Sequence, residues 1–383
     1  MSEVLEKEEK PELFYDSSGS NWIDVEYDNF LQWIYKVKNI YGLSDIHFIS
    51  ENKIYVRSYG FWLPVTSVGL SVNSIKDFIN KITNDNSSSA QLVGGIYIDF
   101  QYTYKVDRYA SMKFRCNATG CIDKKGNRDG VSLVLRFIPD EPPSLEDLGV
   151  EQEIIDACSP QNGMVLTTGV MGSGKSTLNG AIFKKIIQKG GRYVGTYEDP
   201  IEFDLMNINP DTPVTQSEMK RHLKDFYEVC RNASRRAIDV MLVGESRDRE
   251  TLHGMLTAAE MGMAVYSTVH TRTVSEIFSR IIAEFPSDDW NMINSLLIRS
   301  IKLGIQQRLL PTVDGKRVAI REYMIFNEEH RKELLRLDVQ QVAQKVKEMV
   351  ISDGVTLQMA AQRRYDEGKI SKEILKTILD EDK

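Results

Sequence analysis

Residues Gly169-Val170-Met171-Gly172-Ser173-Gly174-Lys175-Ser176-Thr177 follow the spacing G-x-x-x-x-G-K-[ST]. Glycines at these positions let successive backbone N–H groups turn inward and cradle phosphate oxygens. In such a loop Lys175 reaches the β- and γ-phosphates, and the Ser176 hydroxyl is placed to bind Mg2+. An apolar run over 164–168 leads into the loop. A helical pattern follows it through Leu178, Ile182, Phe183, Ile186 and Ile187, and stops at Gly190-Gly191. The positive end of that helix adds to the cradle. The chemistry implied is nucleotide phosphate binding by Gly169, Gly172, Ser173, Gly174, Lys175, Ser176 and Thr177. The rival reading, a glycine turn with an incidental lysine, does not explain the strand–loop–helix context.

Phosphoryl transfer also needs a metal, a group that orients water and positive charge against the developing oxyanions. Two acidic segments follow apolar runs: Glu198-Asp199-Pro200-Ile201-Glu202 after 193–197, and Gly244-Glu245 after 240–243. Carboxylates at strand ends fall in the crevice where α/β sheets bind ligands. Either segment alone is equally a solvated strand cap. Behind a phosphate loop, metal binding and water activation become the stronger reading. His270, after the apolar run 265–268, is either a hydrogen-bonded structural residue or a third group of this site. His47, His222, His253 and His330 show no metal-like clustering. Cys116 and Cys121 have four residues between them and no second pair, which argues against zinc.

These residues need a scaffold, and the 383-residue chain is long enough for two or three domains, each with its own core. From 148 to about 325, apolar strand candidates at 164–168, 193–197, 240–243 and 265–268 alternate with amphipathic helices. That is the pattern of an α/β domain with a largely parallel sheet. Residues 330–383 are helical and charged, with Val339, Val342, Val346, Met349 and Val350 on one face. Whether that face covers the α/β domain or a partner is open. Residues 22–138 read as a smaller α+β domain. Helical patterns run through Phe30, Ile34, Val37 and Tyr41 and over 75–82, and strands are expected at 54–57, 97–106, 112–118 and 131–138. Exposed turns are expected at 86–89 and 124–130, and 139–147, with three prolines, reads as a stiff linker. Residues 1–16 hold six acidic side chains, so 1–21 is expected to be a solvated acidic tail.

Composition narrows the class. Lys plus Arg number 48 and Asp plus Glu 55, a net charge of −7, which argues against direct nucleic-acid binding. No apolar run approaches the ~18 residues of a membrane span, and the first residues lack a signal-peptide layout. With four cysteines a reducing cytosol is the expectation.

The segments GVMGSGKST, YEDPIEF, VMLVGESRD, LTAAEMG and STVHT occur in that order. Together they resemble the secretion-superfamily ATPases, the hexameric motors of type IV pili and of type II and type IV secretion. The resemblance covers about 44–365. It implies an α/β fold: a RecA-like P-loop ATPase domain over 148–383 behind a smaller N-terminal α+β, PAS-like domain. It implies ATP and Mg2+ as ligands, with Lys175 and Ser176 as Walker A residues. Glu202 matches the acidic-box glutamate that positions or deprotonates water. Glu245 matches the Walker B glutamate that holds Mg2+ through water, and His270 the histidine near the γ-phosphate. Arg115 and Arg136 match arginines that reach nucleotide from the smaller domain, although an arginine on an exposed strand is equally a surface charge.

Departures refine the match. Ala237-Ile238-Asp239 stands where the family often has Asp-Pro-Asp, and the four-cysteine zinc subdomain of assembly-type motors is absent. Gln307-Arg308-Leu309-Leu310 and the segment from Arg317 to Glu322 resemble the pilus-retraction motors. Glu329-His330-Arg331-Lys332-Glu333 replaces their Ala-Ile-Arg-Asn-Leu signature. The implied sub-family is the Dot/Icm type IVB secretion ATPases and their conjugation-plasmid relatives. The expectation is then a homohexameric, Mg2+-dependent ATPase on an inner-membrane type IV secretion complex, cytoplasmic and peripheral to the membrane. A pilus-retraction motor, a nucleic-acid translocase and a nucleotide-gated scaffold are the alternatives.

Overall fold

The structure, a computed structural model, describes residues 13–16, 22–108, 110–139, 141–219, 222–246 and 248–381. Two units, Met1–Asp140 and Glu141–Lys383, divide the chain.

In the first unit the elements run α1 (Asp24–Val37), β1 (Leu43–Ile49), β2 (Tyr55–Ser58), β3 (Phe61–Pro64), α2 (Val72–Thr83), α3 (Ser88–Val93), β4 (Ile98–Lys105), β5 (Ser111–Cys121) and β6 (Gly130–Ile138). The six strands form one antiparallel sheet in the order β3-β2-β1-β6-β5-β4. β5 alternates half-buried and buried residues, the period-2 pattern of a sheet with one covered face. Met112, Phe114, Cys116 and Ala118 join Phe30 and Ile34 of α1 and Ile75 and Phe78 of α2 in a single core. Ser71 caps α2 by accepting from the Ser74 N–H, and Asn84 ends it in the left-handed region at φ 55°.

Three expectations for this unit change. Leu13–Asp16 is not solvated tail: the Tyr15 N–H donates to the Val65 carbonyl at 2.7 Å, and its ring meets Trp22, Phe30 and Trp33. One aromatic residue outweighed the acidic composition around it; 1–12 and 17–21 lie outside the described residues. The turn expected at 86–89 passes into α3, where Ser88 is buried. β1 and β3 add to the expected strands: in β1 only Asp45-Ile46-His47-Phe48 alternates polar with apolar, and β3 is four residues, too short to carry a period.

The second unit contains α4 (Gln152–Ala157), β7 (Gly163–Thr168), α5 (Lys175–Lys189), β8 (Val194–Glu198), β9 (Val214–Glu218), α6 (Phe226–Arg235), β10 (Val240–Val243), α7 (Arg249–Glu260), β11 (Ala264–Val269), α8 (Glu276–Ile282), α9 (Trp290–Ser300), β12 (Ile301–Pro311), β13 (Arg317–Ile325), α10 (Glu328–Leu334), α11 (Val339–Asp353), α12 (Leu357–Asp366) and α13 (Lys372–Asp380). Its seven-stranded sheet has the order β13-β12-β7-β11-β10-β8-β9, and only the β12–β13 ladder is antiparallel. β7, β10 and β11 are buried at every position, as strands covered on both faces must be. One core holds residues of α6 to α11 and the other those of α4, α5, α12 and α13. The C-terminal helical stretch is thereby part of this unit: Val342, Val346, Met349 and Val350 lie in the first core, and Leu357, Leu375 and Ile378 in the second. Among the described residues no helix is long and apolar enough to cross a membrane.

Candidate nucleotide-binding site

The loop between β7 and α5 has the backbone its glycines predict. Gly169, Gly172 and Gly174 take φ values of 142°, 75° and 84°. A Cβ on Gly169 would lie 2.4 Å from the Gln307 carbonyl oxygen and 2.7 Å from the Ser173 hydroxyl, so no larger residue fits. Lys175 and Ser176 open the 15-residue helix α5, with Thr177 behind them. The Lys175 ammonium donates to the carbonyls of Gly169 at 2.8 Å and Val170 at 3.1 Å. Burial pulls its pKa below the usual lysine value, while the carboxylates of Glu245 and Glu202 oppose that shift. The Ser173 hydroxyl is buried without a hydrogen-bond partner. An orphaned donor in a positive-φ loop at a helix N-terminus fits a phosphate group.

Parallel pairing brings the other candidates of this unit to one edge. β7, β11, β10 and β8 are neighbours in that order, so Gly169, His270, Glu245 and the Glu198–Glu202 segment all follow C-terminal strand ends. Side chains lock these ends together. The Thr271 N–H donates to the Thr168 hydroxyl at 2.7 Å, and the Thr268 hydroxyl donates to the Gly244 carbonyl at 2.8 Å. Glu245 Oε1 consequently stands 2.5 Å from His270 Nε2.

Glu202 is exposed on the loop after β8. Gln216 of β9 holds that loop, donating to the Phe203 carbonyl at 3.0 Å and accepting from the Leu205 N–H at 2.8 Å. Of that acidic segment the sequence singles out Glu202 as a site residue; Glu198 closes β8. Burial pushes its carboxyl up to about 7, and the neighbouring Glu202 charge adds to the rise; the Thr196 hydroxyl, donating at 2.7 Å, works the other way. The only sequence sign was its place in the same acidic segment. Asp239, which stands where the family's acidic run would end, accepts from the Tyr193 N–H at 2.8 Å and ties β8 to β10.

The residues that would hold Mg2+ are Ser176, through its hydroxyl, and Glu245, through its carboxylate. No group of three or more His, Cys, Asp or Glu among the described residues could hold a metal ion. Mg2+ commonly takes one or two protein ligands and completes its shell with phosphate oxygens and water. The donor set beside a phosphate cradle therefore fits it.

In the first unit, Arg115 of β5 and Arg136 of β6 are direct cross-strand partners, and Asp45 of β1 lies opposite Arg136 on its other side. Arg136 Nε donates to Asp45 Oδ1 at 2.7 Å. Asp45 is only 2% exposed, so the anchor of this surface arginine is a buried charge.

A family model described as "Type II/IV secretion system protein" matches residues 108–347. The type IV pilus retractation ATPase PilT of Pseudomonas aeruginosa is 32% identical over 284 residues, covering 74% of this chain and 79% of that protein. The X-ray structure of the Legionella pneumophila ATPase DotB superposes with a TM-score of 0.80 and 34% identity, over 96% of this chain and 99% of that one. The crystal structure of the pilus retraction motor PilT with bound ADP gives a TM-score of 0.77 and 28% identity, over 90% and 95%. The fold is that of these ATPases, a smaller N-terminal α+β domain and a RecA-like P-loop ATPase domain.

Proposed function

The chain belongs to the type II/IV secretion system protein family, the secretion-superfamily ATPases, and on that premise we propose that it is an ATP-hydrolysing motor of a type IV secretion machine. The observation that carries this reading is the strand-end edge where the phosphate loop, Glu202, Glu245 and His270 follow four neighbouring strands. ATP would place its phosphates on the N–H groups of 169–177. Lys175 would exchange the Gly169 and Val170 carbonyls for β- and γ-phosphate oxygens. Mg2+, held by Ser176 and through water by Glu245, would neutralise charge developing on the transferred phosphoryl group. Glu202, exposed and acceptor-only, takes the proton of the attacking water. His270 orients the Glu245 carboxylate and would lie near the γ-phosphate. By the family resemblance, Arg115 and Arg136 would supply the remaining positive charge.

We assign the working form as a homohexamer at the cytoplasmic face of the inner membrane, docked on a type IV secretion complex of the type IVB, Dot/Icm kind. Supporting this are the 99% coverage of DotB and the replacement of the retraction signature at 329–333 by a capped surface helix, α10. Pilus retraction is the second reading, favoured by the 32% identity to PilT. The test is Mg2+-dependent ATP turnover of the purified chain, with its mass by light scattering across protein concentration. Turnover that rises as a six-subunit species forms is the expected result. A clean hexamer that binds ATP without turnover, alone and with its secretion machine, would leave a nucleotide-gated scaffold. DNA binding that collapses as salt rises would revive the translocase reading.

A further inference from the structure

The phosphate loop is held from behind by a polar assembly on β12 and β13. Gln307 lies on β12, one residue beyond the Gln306–Thr168 pairing that joins β12 to β7. Its side-chain Nε2 donates to the Ser173 carbonyl at 2.8 Å, and its Oε1 accepts from Arg321 Nε at 2.8 Å. Arginine can only donate, so this amide has one permitted orientation, with the NH2 group toward the loop. Arg321 is the direct β13 partner of Gln307 and is 1% exposed. Its terminal nitrogens donate to Glu151 Oε2 at 3.0 Å, the Gly149 carbonyl at 3.2 Å and the Leu148 carbonyl at 3.3 Å. Arg364 of α12 reaches the same Gly149 carbonyl at 2.8 Å and the other Glu151 oxygen at 3.4 Å.

A buried ion network of this kind is a poor way to gain stability, because apolar residues of similar volume do as well or better. What it supplies is direction. In a trans peptide the C=O of Ser173 and the N–H of Gly174 are antiparallel. Fixing the Ser173 carbonyl on Gln307 therefore points the Gly174 N–H away from β12.

We propose that Gln307 is a positioning residue for the phosphate loop and that Arg321 acts through it, coupling the loop to the 148–151 segment that follows the proline-rich linker. This rests on the reading of 169–177 as the phosphate-binding loop. The Gln307 amide presets the Gly174 N–H for phosphate, and the Arg321 fork, anchored by Glu151, presets the amide.

The experiment is calorimetric titration of ADP into the full chain, for wild type, Gln307→Leu, Arg321→Lys and the double variant, with thermal melts in the absence of nucleotide. Gln307→Leu should weaken ADP binding about tenfold, the worth of one buried hydrogen bond, while still melting cooperatively. Arg321→Lys should weaken binding on its own and add nothing in the Gln307→Leu background, the non-additivity expected of residues acting in series. Gln307→Met carries the same expectation and replaces Gln307→Leu should the latter fail to fold. A folded Gln307 variant with wild-type ADP affinity would overturn the proposal. So would an Arg321→Lys loss of equal factor in both backgrounds. Wild type that binds no ADP would overturn the phosphate-loop reading itself, and the proposal with it.

Discussion

His270 Nε2 and Glu245 Oε1 stand 2.5 Å apart although 25 residues separate them in the chain. The approach is a product of topology. β10 and β11 are parallel neighbours with Val243 opposite Ser267, and the Thr268–Gly244 bond fixes how the chain leaves each strand. A carboxylate held this way has one oxygen directed by the imidazole. In the proposed mechanism Glu245 positions Mg2+ and Glu202, on its separate loop, takes the proton of the attacking water.

That division of labour predicts how two single variants behave. Glu202→Gln and Glu245→Gln should each retain ATP binding and lose turnover by about 10²–10⁴-fold, the usual worth of a general base or a metal-positioning carboxylate. Fluorescent-nucleotide binding beside a phosphate-release assay measures both quantities. Either variant hydrolysing ATP at the wild-type rate would remove that residue from the mechanism.

Glu198 gives a prediction in pH. Its carboxyl titrates near 4.5 when unfolded but is raised to about 7 in the fold. The folded chain therefore holds an extra proton between those values, and stability falls as pH rises through that window, then stays level above it. Glu198→Gln keeps a carbonyl for the Thr196 hydroxyl and removes the ionisation. It should melt above wild type at pH 8, by about 2–4 °C for each kcal/mol recovered, with the difference vanishing toward pH 4.5. Melting curves at several pH values check this; an offset independent of pH would contradict it.

The sequence made the strands around the site readable because β7, β10 and β11 are buried on both faces and appear as unbroken apolar runs. β9, Val-Thr-Gln-Ser-Glu, is half-buried at four of its five positions and carries no periodic signal. The phosphate loop is legible because its residues are consecutive. Gln307 and Ser173 are 134 residues apart, and their bond follows from β12 lying beside β7, which no local pattern encodes. Glu198 and Glu202 look alike in sequence. What distinguishes them is burial and the Thr196 hydroxyl on one side of a turn, and solvent on the other.

Tyr15 tests how much of the N-terminal segment is structural. Its ring lies 5.3–5.7 Å from those of Phe30, Trp33 and Trp22, and its hydroxyl is pushed up to about 12 by burial and by Glu26. Tyr15→Ala should cost about 1–3 kcal/mol through lost aromatic burial and lower the melting temperature. Deletion of 1–16 should do the same, whereas a deletion that leaves the melting temperature unchanged would show that Tyr15 contributes nothing.

Arg115 and Arg136 are adjacent on the sheet but differently held, and that difference separates a structural role from one in turnover. Arg136 is bonded to Asp45, whose carboxylate is buried and otherwise receives the Ser44 hydroxyl at 2.8 Å. Arg115 makes no ion pair among the described residues. Truncating Arg136 leaves a buried carboxylate without its counter-charge, the more damaging way to break such a pair. Arg136→Ala should therefore lower the melting temperature, and Arg115→Ala should not. Adding Asp45→Asn to Arg136→Ala should restore stability, because the uncompensated charge is gone while the Ser44 bond can persist. Turnover behaves differently if both arginines reach the nucleotide: each alanine variant should slow hydrolysis, and Asp45→Asn should not rescue it. Rescue of turnover together with stability would mean that Arg136 serves the fold of the smaller domain and not the chemistry.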